Sequence, residues 1–342
     1  MLDCPLSPLQ ITYGEHMKDF GGKIAVVTGG GTGMGRELVR QLLAEGCHVA
    51  TCDVIEENLQ ETLAICQGEA PQGVRVTAHS CDVALEEQVL AFRKEVEEQH
   101  QTPHINLLFN NAGIGGGGSF VDSTREEWER TFNICWDGVY YFCRAFLPML
   151  LKSSEGHIVN TSSVNGFRAS LGGNIPHTAY SAAKFAVKGF TEALINDFRF
   201  NAPHLKASIV MPGGVGTDIA INSGRILGQK DPQDWTDEDV DRVRARWEKM
   251  GENRAALGVD ESMLQLSNDE IRERMIKRGT DYRKIGITPA QAATIILNGV
   301  KKDHWRILVG KDAEALDRAV RKAPLHTYDL DFNRYVQEEW QE

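Results

Sequence analysis

Short apolar runs alternate with longer amphipathic stretches along most of this chain. The runs near 24–28, 48–53, 74–79, 105–110, 157–162, 206–211 and 306–309 have the length and composition of strands buried on both faces, as in Ile24-Ala-Val-Val-Thr28. Helix-length segments separate them; Met34, Leu38, Val39, Leu42 and Leu43, for instance, recur at helical spacing. This alternation predicts an α/β fold, a doubly wound parallel sheet of about seven strands with helices on both faces.

The pattern breaks in three places. Residues 1–22 form a weakly patterned N-terminal extension, within which Met17 is an alternative start. From Asp218 to Ile285 no strand candidate occurs; the segment is charged and helical in period, with a capping-box spacing at Ser267–Glu270 and a helix start at Trp235-Thr236. It predicts a helical insertion at 218–285 in a single domain spanning 23–323, serving as a substrate lid or an oligomer arm. Residues 324–342 form a tail whose Tyr328, Phe332, Tyr335 and Trp340 are expected to dock on the same domain or on a neighbour. The glycine run Gly115–Gly118 reads as one loop.

Composition narrows the function. The 342 residues are 42% hydrophobic and 25% charged, which suits one elaborated globular domain rather than a disordered chain. A formal charge of -11 argues against a nucleic-acid partner, which would require clustered Lys and Arg. The seven cysteines at 4, 47, 52, 66, 81, 135 and 143 contain no C-x-x-C pair, and the ten histidines no H-E-x-x-H, so no metal site is expected. Cys135 and Cys143 share a predicted helix and read as core. The first 20 residues, with Asp3 and Glu15, lack a secretory pattern, and no apolar run approaches membrane length; a cytoplasmic protein without a membrane partner is expected.

Candidate chemistry begins where the first strand ends. Thr28-Gly-Gly-Gly-Thr-Gly33-Met-Gly35 links that strand to the helix behind it, so glycines can turn tightly while helix N–H groups receive a pyrophosphate. Gly29, Gly33, Met34 and Gly35 are therefore cofactor-site candidates. Asp53 closes the second strand at the spacing of a carboxylate that binds an adenosine ribose. With Thr32 and Val54 beside these positions instead of basic residues, NAD is favoured over NADP.

Further motifs follow in order: Cys81-Asp82-Val83, Asn110-Asn111-Ala112-Gly113, Ser162-Ser163 with Gly166, Tyr180-Ser-Ala-Ala-Lys184, and Pro212-Gly213 with Thr217. Together they resemble the short-chain dehydrogenase/reductase family, closely over about 20–217 and again near 288–310. The resemblance implies a Rossmann-type fold and hydride transfer between NAD(H) and a secondary alcohol or ketone. It implies Tyr180 as general acid/base, Lys184 on the nicotinamide ribose and beside the phenolate, and Ser163 on the substrate oxygen. It also places Asp82 and Val83 at the adenine, Asn110, Ala112 and Gly113 on the adenosine side, and Pro212, Gly213, Val215 and Thr217 toward the nicotinamide.

Tyr180 and Lys184 are one helical turn apart, close enough for the ammonium to lower the phenol pKa by about 2 units in a medium of intermediate dielectric. Two departures stand out. Cys135 occupies the position where the family commonly has Asn, and Phe167–Ala179 is longer than usual. The insertion, with Phe167, Trp136 and Trp235, points to a bulky, largely apolar substrate. His177 reads as a solvated loop histidine. Family habit implies a homodimer or homotetramer. The competing readings are an NADPH-dependent ketone reductase and a non-catalytic NAD sensor.

Overall fold

A computed structural model describes residues 17–116, 118–170, 176–252 and 258–341. The extension before Met17, Gly117 of the glycine loop, and Gly172-Gly173 in the long segment before Tyr180 lie outside them.

Seven parallel strands form one sheet in the order β3-β2-β1-β4-β5-β6-β7. They are β1 Ile24–Thr28, β2 His48–Asp53, β3 Val76–Ser80, β4 Leu107–Asn110, β5 Gly156–Thr161, β6 Leu205–Pro212 and β7 Arg306–Val309. The seven expected strands are all present, with ends shifted by one or two residues. The helices between them are α1 Gly33–Ala44, α2 Glu56–Glu69, α3 Glu86–His100, α4 Arg125–Phe132, α5 Gly138–Leu150 and α6 Thr178–Asn201.

Strand alternation divides the core between the two faces. Ile24 and Val26 point to one side, where Phe92 of α3, Phe142 and Phe146 of α5, and Val187 of α6 pack. Ala25 and Val27 point to the other, against Leu38, Leu42 and Leu43 of α1. Met17 and Phe20 belong to this second layer, so the chain joins the domain before residue 23; the Lys301 ammonium lies 4.9 Å from the Phe20 ring. Register pairs Val27 with Thr51 of β2 and with Phe109 of β4. The sheet reverses direction of growth between β1 and β4, and a crevice opens beyond their carboxyl ends.

After β6 the chain forms α7 Ile219–Ile226, α8 Asp237–Met250 and α9 Asn268–Tyr282. Thr236 with Asp239 and Ser267 with Glu270 close full capping boxes at α8 and α9. Val240, Trp247, Val259, Met263 and Ile271 form a small core for this arm, which returns to the sheet where Val215 bridges Gly286 and Ile287. Helix α10 Pro289–Lys301 leads to β7, followed by α11 Lys311–Lys322 and α12 Asn333–Gln341. The tail docks on its own domain: Phe332 is buried against Ala319 and Ala323, beneath the Arg168 guanidinium at 4.8 Å. Tyr328 and Trp340 remain exposed.

Candidate active site

The glycine-rich turn is built for close approach. Gly29 and Gly33 adopt φ of 68° and 56°, a region costly for other residues. A Cβ on Gly35 would sit 2.0 Å from the Gly29 carbonyl oxygen, so this glycine lies behind the turn and lets α1 approach it, not along the cleft. Thr32 offers no side-chain cap to α1, and no acidic residue occupies its first turn; the helix N–H groups stay open to an anion.

Side chains missed in the sequence brace this turn. Thr62 Oγ1 and the Arg36 guanidinium both donate to the Gly31 carbonyl, at 2.9 and 2.7 Å. Asn111 Nδ2 donates to the Thr28 carbonyl at 3.0 Å, while Thr28 Oγ1 accepts from the Asn111 and Ala112 amides. Asp53 Oδ2 accepts from Gly31 N–H at 2.9 Å and Oδ1 from Ile55 N–H at 3.0 Å. Burial raises the Asp53 pKa, partly offset by these amides.

A cleft runs from Asp53, Asp82 and Val83 past Gly29, Gly33 and Met34 to Ala112, Gly113 and Thr217. These predicted cofactor residues come together. Asn110 differs: its amide points inward, donating to Asn160 Oδ1 at 2.8 Å, and it is Asn111 that reaches the cleft. Asn160 in turn donates to Thr191 Oγ1 at 2.9 Å, tying β4, β5 and α6 together. Pro212, Gly213 and Val215 also stand behind the cleft wall, because Asp312 packs on Gly213 and accepts from Gly214 N–H while Val215 is paired to the arm's return.

Ser163, Tyr180 and Lys184 meet at the inner end of the cleft; a Cβ on Gly113 would lie 3.4 Å from Lys184 Nζ and 3.7 Å from Cys135 Sγ. Ser163 stands close enough to Tyr180 to hold its pKa down, while its Oγ accepts from Asn165 N–H at 3.1 Å; Ser162 turns inward and donates to the Lys184 carbonyl at 2.7 Å. Lys184 is buried, and its Nζ donates to the Thr161 carbonyl at 2.9 Å, 5.4 Å from the Tyr180 ring centroid.

Electrostatics here reverses the expected pKa shift. Burial raises the Tyr180 pKa well above that of a free phenol; Cys135 adds to this, the Ser163 hydrogen bond opposes it, and Tyr282 of the arm adds further. The expectation of a phenol lowered by Lys184 counted the ammonium's attraction and omitted the phenol's desolvation. Burial lowers Lys184 itself, again opposing charge in the same pocket.

Cys135 sits within a π-helical turn, Asn133–Asp137, between α4 and α5, with its thiol directed at the Ile114 carbonyl at 3.3 Å. His177 is not a solvated loop residue. Its ring centroid lies 4.8 Å from that of Tyr180, its Nδ1 is buried without a hydrogen-bond partner among the described residues, and desolvation drops its pKa to about 4.

The aromatics expected at the substrate are engaged elsewhere. Trp136 packs on Phe190 and Tyr140, Phe167 lies under the Arg306 guanidinium, and Trp235 belongs to the arm's own core. The arm reaches the cleft through α7 instead: Ile219, Asn222 and Ile226 line it, Asn222 Nδ2 donates to Thr32 Oγ1 at 3.2 Å, and Ser223 Oγ accepts from Gly115 N–H at 2.8 Å. No sequence motif marked these contacts.

A glycine-braced turn at the sheet's reversal point, an uncapped helix N-terminus and the residues Ser163, Tyr180 and Lys184 thus stand together, and comparison with known proteins gives the class. Residues 23–225 match the short chain dehydrogenase family. SadH of Mycobacterium tuberculosis, which bears an oxidoreductase name, is 34% identical over 305 residues, 89% of this chain and 92% of that protein. Dehydrogenase/reductase SDR family member 11 of Homo sapiens is 30% identical over 62% of this chain and 78% of its own length. The crystal structure of a short chain dehydrogenase/reductase from Burkholderia phymatum in complex with NAD superimposes with a TM-score of 0.67 at 26% identity, covering 90% of this chain and 96% of that one. The protein belongs to the short-chain dehydrogenase/reductase family, oxidoreductases that bind a nicotinamide cofactor and act on small molecules. Among the described residues no helix is long and apolar enough to cross a membrane.

Proposed function

We propose that this enzyme transfers a hydride between NAD(H) and a secondary alcohol or ketone. The observation that carries the reading is the convergence of Ser163, Tyr180 and Lys184 at the inner end of a cleft whose outer end holds Asp53. The residues fit a dinucleotide: no side chain caps the α1 N-terminus that would receive its phosphates, and a side chain at Gly33 would crowd Thr217 across the cleft. When bound, the nicotinamide accepts or supplies the hydride.

In the direction of alcohol oxidation, Ser163 holds the substrate hydroxyl by a hydrogen bond while Tyr180, as phenolate, takes its proton. Lys184 stabilises that phenolate and the nicotinamide ribose. A cationic nicotinamide, once bound, would favour the phenolate against the desolvation that raises the Tyr180 pKa. Asp53, anchored by two amides, accepts hydrogen bonds from a ribose diol and repels a 2′-phosphate, which favours NAD.

The closure of α7 over the cleft supports a bulky substrate enclosed by the 218–285 arm, although Phe167, Trp136 and Trp235 no longer argue for its apolar character. Tyr140 and Phe185 expose aromatic surface on α5 and α6, which supports a homodimer or homotetramer built on those helices. Free, buried cysteines, Cys47 and Cys143 among them, fit a reducing cytoplasmic setting.

The test is NADH absorbance with purified protein, NAD or NADP, and a panel of secondary alcohols, run beside Tyr180→Phe. NAD-linked turnover that falls by about a thousandfold in the variant is expected. Turnover unchanged by Tyr180→Phe, or supported only by NADP, would overturn the reading.

A further inference from the structure

The adenosine end of the cleft is bounded by a side chain outside every motif. Arg130, in the last turn of α4, lines the cleft together with Asp82 and pairs with it at 2.5 Å. The other Asp82 oxygen accepts from Ala84 N–H at 3.0 Å. Asp82 is thus held by its own turn on one side and holds Arg130 on the other. An outer hollow of about 440 Å³ shares Val54, Ile55, Arg130 and Ile226 with the cleft, so the cleft continues beyond Asp53 and opens to solvent past Arg130.

Adenine is a flat π-system with apolar faces and a polar edge. Val54, Ile55 and Ile226 offer apolar contact at this end of the cleft. A guanidinium is planar, weakly hydrated for a cation and well suited to contact with a π face. Its pairing with Asp82 restricts its rotamers before any ligand arrives, which lowers the ordering cost of binding. The same pairing sets a carboxylate beside the guanidinium, making a 2′-phosphate the poorer match. We propose that Arg130 is a specificity-determining wall of the adenine subsite, with Asp82 as its tether. This rests on the reading of the cleft as a dinucleotide site, and it adds a residue from α4 to a site otherwise lined by the loops after the strands, the α1 N-terminus, the π-helical turn and α7.

Calorimetric binding of ADP-ribose, NADH and NADPH to the full chain, wild type against Arg130→Met, tests it without turnover. ADP-ribose and NADH are each expected to bind about tenfold more weakly to the variant. Unchanged ADP-ribose affinity would sink the inference while leaving the cofactor reading intact. A loss confined to NADPH would make Arg130 a phosphate contact and overturn it as well. Failure of the wild type to bind any of the three would remove the cofactor reading and this inference with it. Should Arg130→Met fail to fold by circular dichroism, Arg130→Lys, which keeps the ion pair but not the planar group, is judged by the same outcomes.

Discussion

The sheet body and the 218–285 arm are stabilised in different ways. The body hides long side chains between layers: Phe92, Phe142 and Phe146 on one face, and Leu38, Leu42 and Leu43 on the other, all nearly without exposure. Among its described residues the arm has a core of five buried apolar side chains, Trp247 included, and relies on capping boxes and on ion pairs such as Arg272 with Asp237 and Lys230 with Asp239, each with one exposed member. Buried apolar area contributes far more than exposed ion pairs, which are worth about 0–1 kcal/mol each. The arm is therefore expected to open before the sheet does, and α7, through Asn222 on Thr32 and Ser223 on Gly115, would carry that opening to the glycine turn and the Gly115 loop.

Trp247→Ala is the largest challenge to this division. Removing the ring should cost about 4 kcal/mol, expressed as lost amide protection in α8 and α9 with the sheet's protection unchanged. Hydrogen exchange that accelerates equally in β1 and β4 would show that arm and body unfold as one. Gly35→Ala attacks the body instead. Its Cβ would press on the Gly29 carbonyl, so a loss of about 3 kcal/mol in global stability and of NADH binding is expected. Wild-type affinity for NADH in this variant would mean that the turn is not held as tightly as the contact implies.

Acid sharpens the same contrast more gently. His157, buried in β5 with Nε2 2.7 Å from Ser208 Oγ, has its pKa lowered by desolvation to about 4. The unfolded chain, with a histidine pKa near 6.5, binds that proton first, so the native state keeps its full stability above pH ~6.5 and loses it as pH falls toward 4. At pH 5 the loss is about 2 kcal/mol relative to pH 7. The arm contains no histidine, and Lys230 holds its Asp239 below the usual carboxylate range, so its ion pairs persist to lower pH. Thermal melts of wild type and His157→Asn between pH 7 and 5 check this; parallel curves would assign the acid sensitivity to other groups.

Much of the site was legible because it is local. The glycine turn needs only a strand before it and a helix after it, Asp53 needs only to end the next strand, and Tyr180 and Lys184 need only one helical turn between them. Asn110 and Asn111 show where that legibility stops. Asn110 ends β4 and Asn111 is the first residue beyond it, and which one meets the cleft depends on the neighbours of that strand end, Asn160 of β5 for Asn110 and Thr28 of β1 for Asn111. Arg130 and Asn222 carry no sequence signal at all, since each reaches a partner on a distant element, Asp82 and Thr32 respectively.

The sequence by itself determined the strand and helix alternation, the phosphate-binding turn, the order of the family motifs and the arm's capped helices, because periodicity, turn chemistry and caps act within a few residues. Tertiary structure alone decided the packing of Trp136 on Phe190, of Phe167 under Arg306 and of Trp235 on the arm's core, the packing of His177 on Tyr180, and the sign of the Tyr180 pKa shift. Those outcomes depend on burial and on neighbours brought from far along the chain. Desolvation in particular belongs to the assembled pocket and to no residue within it.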